Sequence, residues 1–131
     1  MSDQNFPADL KYTKDHEWAK LEGGVLTVGI TSFAVEQLGD ITLVTFDKKV
    51  GDTVEAGKAF GTIESVKTLS DLYAPISGKI TALNGDLDAK PELVNEDCYG
   101  KAWMVKIEPS DAKAAEALLD VSAYVAHVKA S

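Results

Sequence analysis

Cysteine is almost missing from this chain, and that scarcity closes off several chemistries. Cys98 is the one cysteine among 131 residues, so neither an intramolecular disulfide nor a thiolate metal cluster can be assembled. What remains is an idle thiol in a reducing compartment. Histidine is nearly as scarce. His16 and His127 stand far apart with no ligand-like spacing, which points to structural or solvated roles and to no metal site. No apolar run approaches the ~20 residues a bilayer crossing requires, so no membrane association is expected. Basic residues are few, 13 Lys and Arg against 21 Asp and Glu, for a formal net charge of -8. That charge repels nucleic-acid phosphates and anionic lipid surfaces, and leaves solubility or steering toward basic patches on partner proteins as its use.

Four Pro and ten Gly are scattered instead of gathered into a linker. The expected organisation is therefore one domain over residues 1–131, with a core at about 11–108 and an addition at about 110–130. Residues 1–10 are polar and carry Asp3 and Asp9, unlike an Arg-rich transit segment or the apolar stretch of a signal peptide. A cytoplasmic chain is expected, or a mitochondrial-matrix one were this a processed eukaryotic protein.

Short β-prone runs supply most of the pattern. Residues 17–21 and 25–29 flank Gly23-Gly24, a pair that accepts positive φ, and predict a hairpin. Thr31 or Ser32 can cap a short helix through Leu38, with Gly39 as its stop signal. Branched and aromatic residues predict strands at 41–46, 58–64, 69–73, 78–83 and 103–108, broken by Pro75, Gly78, Asn84-Gly85 and Gly100. Many short strands mean a sandwich or barrel. After Pro109 the pattern turns helical: Ser110 can cap 111–119, and Ser122 a second stretch towards Lys129, with Leu118, Tyr124 and Val128 on an apolar face that packs on the β core. Val50-Gly51-Asp52-Thr53-Val54 is echoed by Asn84-Gly85-Asp86-Leu87, as in a fold of two similar four-stranded halves.

Between two of the predicted strands lies Glu64-Ser65-Val66-Lys67-Thr68, which puts Lys67 at or beside an exposed hairpin tip. A lysine in a turn is ordinarily a solvated charge. The string around it says more. Glu-Ser-Val-Lys leading into Ser70-Asp71 and Pro75-Ile76-Ser77-Gly78 resembles the lipoyl site of glycine cleavage system H proteins. Further blocks are similar to that family in the same order: Lys11 through Trp18, Val28 through Thr31, Gln37 through Asp40, Pro91 through Asp97, and Trp103 through Ile107. Two positions depart from the family pattern: Cys98, where Pro is frequent, and Thr68, where Ala is common.

The resemblance implies a mainly β fold, the barrel-sandwich hybrid of lipoyl domains, with a short helix in the N-terminal half and C-terminal helices. It implies covalent lipoate on Lys67 and a carrier that catalyses nothing itself. Its partners would be a pyridoxal-phosphate glycine decarboxylase, a tetrahydrofolate-dependent aminomethyltransferase, dihydrolipoamide dehydrogenase and the lipoyl-attaching enzymes, each visited by a monomer. Glu17 and Asp71 would hold the protonated amine of the aminomethyl cargo, with His16 and Asp15 beside them. Glu64, Ser65 and Val66 would be marks for the attaching enzyme. A two-carboxylate hydrolase built on Glu64 and Asp71 is rejected, since no nucleophile-base-oxyanion pattern supports it. The rivals are an H-like protein relaying lipoyl groups to other enzymes, and the lipoyl or biotinyl domain of another complex. The latter families usually carry Asp-Lys-Ala or Met-Lys-Met where this chain has Val66-Lys67-Thr68.

Overall fold

A computed structural model of the protein describes residues 6–111 and 113–130. Its elements in chain order are β1 (Lys11–Tyr12), β2 (Glu17–Glu22), β3 (Val25–Ile30), α1 (Ser32–Leu38), β4 (Ile41–Phe46), β5 (Thr53–Val54), β6 (Ala59–Ser65), β7 (Leu69–Tyr73), β8 (Gly78–Leu83), α2 (Asp86–Ala89), α3 (Leu93–Glu96), β9 (Val105–Pro109), α4 (Lys113–Glu116) and α5 (Val121–Ala130). The strands form a six-stranded sheet in the order β1-β2-β3-β9-β8-β5 and a three-stranded sheet in the order β4-β6-β7. The pairing thus divides six and three, not the four and four suggested by the Gly-Asp echo. Gly51-Asp52 turns the chain into a strand, whereas Gly85-Asp86 opens a helix.

Local chemistry explains the elements near the site. Gly23 and Gly24, at φ 58° and 80°, make the tight turn that registers Glu22 against Val25 in the β2-β3 hairpin, because paired positive φ values match the strand twist there. Thr31 caps α1, its hydroxyl accepting from the Ala34 N–H. Gly39 stops the helix at φ 82°, ψ -150°, a conformation closed to residues with a Cβ. The apolar faces of both sheets meet in one cluster that includes Val28, Val44, Phe60, Ile63, Leu72 and Ile107. A second cluster, Leu10, Tyr12, Trp18 and Tyr124, seats α5 against β1 and β2, with the Tyr12 and Tyr124 rings stacked at 4.6 Å.

The C-terminal helices differ from expectation. Ser110 does not cap a helix: its N–H and hydroxyl both donate to the Ser77 carbonyl, at 3.1 and 3.2 Å. Asp111 instead accepts from Lys113 N–H at 3.0 Å, and α4 is a single turn rather than a helix over 111–119; Ala112 lies outside the described residues. The reason is tertiary. Leu119 exchanges two backbone hydrogen bonds with Tyr12, 2.7 and 2.8 Å, and the bridge holds the chain extended. Ser122 is inside α5, whose first turn is capped by Asp120 through the Ala123 N–H at 2.9 Å. The short β1, β5, α2 and α3 carry no periodic signal and were not predicted. The polar opening, as far as Asn5, also lies outside the described residues.

Candidate functional site

The β6-β7 hairpin leaves the protein body at its far end. Ile63 and Leu72 are buried, while every residue from 66 to 71 is exposed. The turn is closed locally: Ser65 N–H donates to the Thr68 carbonyl at 2.8 Å, and the Ser65 hydroxyl accepts from the N–H groups of Lys67 and Thr68, both at 3.2 Å. A serine that satisfies two turn donors lets the tip stand in water without a packed partner. Lys67 is at this tip, as the sequence predicts, and Val66 and Leu69 beside it are 68% and 62% exposed. Glu64 and Ser65 end the strand leading into it.

The tip is tethered to the body beside Lys67. Val66 N–H donates to the Asp40 carbonyl at 3.0 Å. Asn95 fixes that turn from both sides, its Oδ1 accepting from Ile41 N–H and its Nδ2 donating to the Gly39 carbonyl, each at 2.9 Å. A Cβ on Gly39 would lie 3.3 Å from Lys67 Cε, so the lysine stem runs over the end of α1. Leu38, the next residue, lines a cleft of about 570 Å³.

That cleft is bounded by the Asp15-His16-Glu17 segment, by Phe33, Gln37 and Leu38 on α1, by Ile63 and Asp71 on the hairpin, and by Val128 on α5. The structure therefore brings Glu17, Asp71, His16 and Asp15 to one cavity, next to Lys67. Among the described residues lining it there are three carboxylates and no lysine or arginine. Glu17 is 3% exposed. Its carboxylate accepts from Tyr73 N–H at 2.7 Å and from the Thr13 hydroxyl at 3.4 Å, which ties edge strand β7 to the other sheet. Burial pushes its pKa up to about 8, against the lowering effect of the Tyr73 hydrogen bond, because the charged form has lost its water. Asp71 is exposed and accepts from the Tyr73 hydroxyl at 3.5 Å.

His16 is the one non-glycine residue at positive φ among those described, at 65°. It lies 4.6 Å from the Phe33 ring and 5.4 Å from the His127 ring, and its Nδ1 is 2.8 Å from the Tyr124 hydroxyl. The two histidines that look unrelated in sequence are thus neighbours, because α5 folds back over the β1-β2 loop. Among the described residues no group of three His, Cys, Asp or Glu is placed to hold a metal ion. Sequence reading missed Phe33, Asn95, His127 and the hydroxyl of Tyr124. Asn95 falls in a block that resembles the family, but nothing local marks its task. Cys98 is partly buried with its thiol pushed up to about 11 by burial, and its carbonyl accepts from the Trp18 indole at 2.8 Å, so the loop is tied down without a proline.

A lysine presented on a hairpin of a two-sheet β fold, beside a cleft able to take what the lysine carries, is the plan of the lipoyl-domain class of carriers. The family model for the glycine cleavage H-protein matches residues 10–131. The glycine cleavage system H protein of Bacteroides thetaiotaomicron is 56% identical over 124 residues, 95% of this chain and 98% of its own length. That of Halalkalibacterium halodurans is 52% identical over 120 residues, 92% of this chain and 93% of its own. The crystal structure of a glycine cleavage system H protein from Mycobacterium marinum matches with a TM-score of 0.86 at 40% identity, covering 95% of this chain and 99% of that one. The chain belongs to the glycine cleavage H-protein family, and its role is that of a lipoyl-carrying H protein.

Proposed function

We propose that the chain acts as one carrier domain, with lipoate in amide linkage to Lys67, moving the aminomethyl group of glycine from the decarboxylase to the aminomethyltransferase and reducing equivalents to dihydrolipoamide dehydrogenase. The observation that carries this reading is the placement of Lys67: exposed at a self-closed tip, with its stem against Gly39 at the edge of the cleft. The residues present fit the group. Ile63, Phe33, Leu38 and Val128 offer apolar wall to an alkyl arm, and Glu17, Asp71 and Asp15 offer only acidic groups to a cationic end. When bound, the lipoyl disulfide supplies a sulfur acceptor for the one-carbon unit and a two-electron redox couple. The chain's own side chains catalyse none of the partners' steps.

What the chain contributes is presentation and shelter. Lys67 has a flexible stem and an amine that forms a stable amide, and the modification takes the formal charge from -8 to one unit more negative. Tethering keeps the cargo at high effective concentration near whichever partner has docked. Glu17 and Asp71 hold the protonated amine, and the approach of that cation draws the Glu17 proton off, since an opposite charge favours the carboxylate. His16 completes this wall. Glu64, Ser65 and Val66, which frame the lysine, are the recognition marks for lipoyl-attaching enzymes. Among the described residues no helix is long and apolar enough to cross a membrane; as part of the same proposal, the carrier is cytoplasmic and monomeric and visits its partners in turn.

Intact-mass measurement before and after treatment with lipoate ligase tests the anchor. One lipoyl adduct, mapped to Lys67, is expected, and an unmodified chain would overturn the reading. Glycine-dependent bicarbonate exchange by the decarboxylase, with the lipoylated chain added, then tests the pathway; a loaded chain that supports no exchange would leave lipoyl relay as the better account.

A further inference from the structure

Tyr124 is buried at 0% exposure, and so is Thr31. The Tyr124 hydroxyl is 2.8 Å from Thr31 Oγ1 and 2.8 Å from His16 Nδ1. Three arrangements of the hydrogens can be written, and only one leaves nothing orphaned. Thr31 Oγ1 already accepts from Ala34 N–H. Were it also to accept from Tyr124, its own hydrogen would be buried with no acceptor among the described residues. Were Tyr124 to accept from both neighbours, the phenol hydrogen would be stranded instead. The arrangement that satisfies every group runs Thr31 O–H to Tyr124, then Tyr124 O–H to His16 Nδ1, and buried hydroxyls with unmade bonds are costly enough to decide between them.

We infer that Thr31 and Tyr124 are positioning residues which hold His16 as a neutral imidazole with its proton on Nε2, turned to the cleft as a hydrogen-bond donor. Protonating Nδ1 would reverse the relay and orphan a buried hydroxyl. The groups facing His16 agree with this. Burial and then His127 lower its pKa, with Asp15 opposing; Phe33 covers it from α1; and burial pushes the Tyr124 phenol up to about 12, so that it stays a donor. The Nε2 atom finds no hydrogen-bond partner among the described residues, leaving it for whatever enters the cleft. The consequence for cargo rests on the lipoyl-carrier reading: a neutral His16 leaves a protonated amine at Glu17 and Asp71 unrepelled, whereas an imidazolium next to Glu17 would compete for the same carboxylates. The relay therefore keeps the amine-holding wall purely acidic while still supplying one N–H donor.

The test is two-bond proton–nitrogen correlation spectroscopy of the unmodified, nitrogen-labelled chain, with His127→Gln used to assign the two imidazoles. The expected wild-type pattern is a single Nε2–H tautomer for His16. An Nδ1–H pattern, or an averaged one, would overturn the inference whether or not Lys67 accepts lipoate. Tyr124→Phe, which keeps the ring stack on Tyr12, is expected to raise the His16 titration midpoint, and an unchanged midpoint would refute the relay. Thr31→Ser keeps the wild-type pattern, and so does Thr31→Val, in which His16 Nδ1 is the acceptor left for the buried Tyr124 hydrogen; an Nδ1–H form in either variant would refute the hydrogen count. The part Thr31 plays is read in the His16 titration midpoint: losing the hydroxyl that donates to Tyr124 weakens the chain of hydrogen bonds, so Thr31→Val should raise the midpoint, by less than Tyr124→Phe does, and Thr31→Ser should not, whereas a midpoint unchanged in Thr31→Val would overturn its place in the relay. In the lipoylated chain, Tyr124→Phe should shorten the lifetime of the held cargo at pH values where His16 becomes charged, with no loss above them.

Discussion

At the hairpin tip, residues 66 to 71 are exposed and one serine side chain closes the turn, whereas Glu17 in the adjoining cleft is 3% exposed and tied to a strand of the opposite sheet. The tip uses almost no tertiary energy and the cleft uses a great deal. A group that must reach several proteins has to sit where nothing depends on it. A group that must shelter a cation has to be built where everything depends on the packing. The two meet where Asp71 lines the cleft and at the turn held by Asn95, where the lysine stem passes over Gly39 and Asp40 accepts from Val66.

The sharpest break in the comparison is Lys67→Arg. It should abolish lipoylation and all carrier activity while changing unfolding free energy by no more than ~0.5 kcal/mol, as for an exposed site away from packing; urea denaturation beside intact mass measures both. A large stability loss would mean that the tip is not independent of the fold.

Glu17→Gln is expected to do the reverse and act on stability through pH. The folded pKa of about 8 lies above the ordinary value of 4.5 that the unfolded chain keeps. Between these values the native state keeps a proton that the unfolded chain has released, so wild-type stability falls as pH rises from 4.5 through 8 and levels off above. The glutamine variant lacks that slope and should gain on wild type by on the order of a few kcal/mol at pH 9 relative to pH 5. Parallel stability curves for the two proteins would show that Glu17 is not held neutral.

At the junction, Asn95→Ala leaves the backbone N–H of Ile41 and the carbonyl of Gly39 without their partner. A cost of about 1–3 kcal/mol is expected, together with slower lipoylation as the tip loses its tether. Lipoylation at the wild-type rate despite the lost stability would separate tip from turn. The smallest effect belongs to Ser65→Ala. Removing a hydroxyl that serves two exposed turn amides should cost only about 0.5–1 kcal/mol, because water replaces it, and hydrogen exchange at Lys67 and Thr68 should speed up with the rest of the chain unaffected.

Much of this was legible from residues alone. The β2-β3 turn follows from Gly23-Gly24 and the end of α1 from Gly39. The strands at 41–46, 69–73 and 78–83 follow from branched and aromatic runs, all with the predicted bounds. These are decided within a few residues by φ/ψ preference and by the alternation of apolar side chains, both of which a sequence displays directly. The helix expected over 111–119 fails for the opposite reason: its local signal is overruled by a bridge to Tyr12 at the other end of the chain. The acids and His16 could be named by resemblance, but their shared cavity could not be read from spacing.

The sequence by itself determined that Lys67 stands in a turn between two strands, in a string resembling a lipoyl site, because turn chemistry and strand pattern are local. Only the tertiary structure decided what surrounds it. The proton on Glu17 depends on how completely two sheets exclude water from one carboxylate. The state of His16 depends on a hydroxyl 108 residues away, delivered by a helix whose position is set by aromatic packing. Burial and long-range contact fix both, and neither is a property of any short stretch of chain.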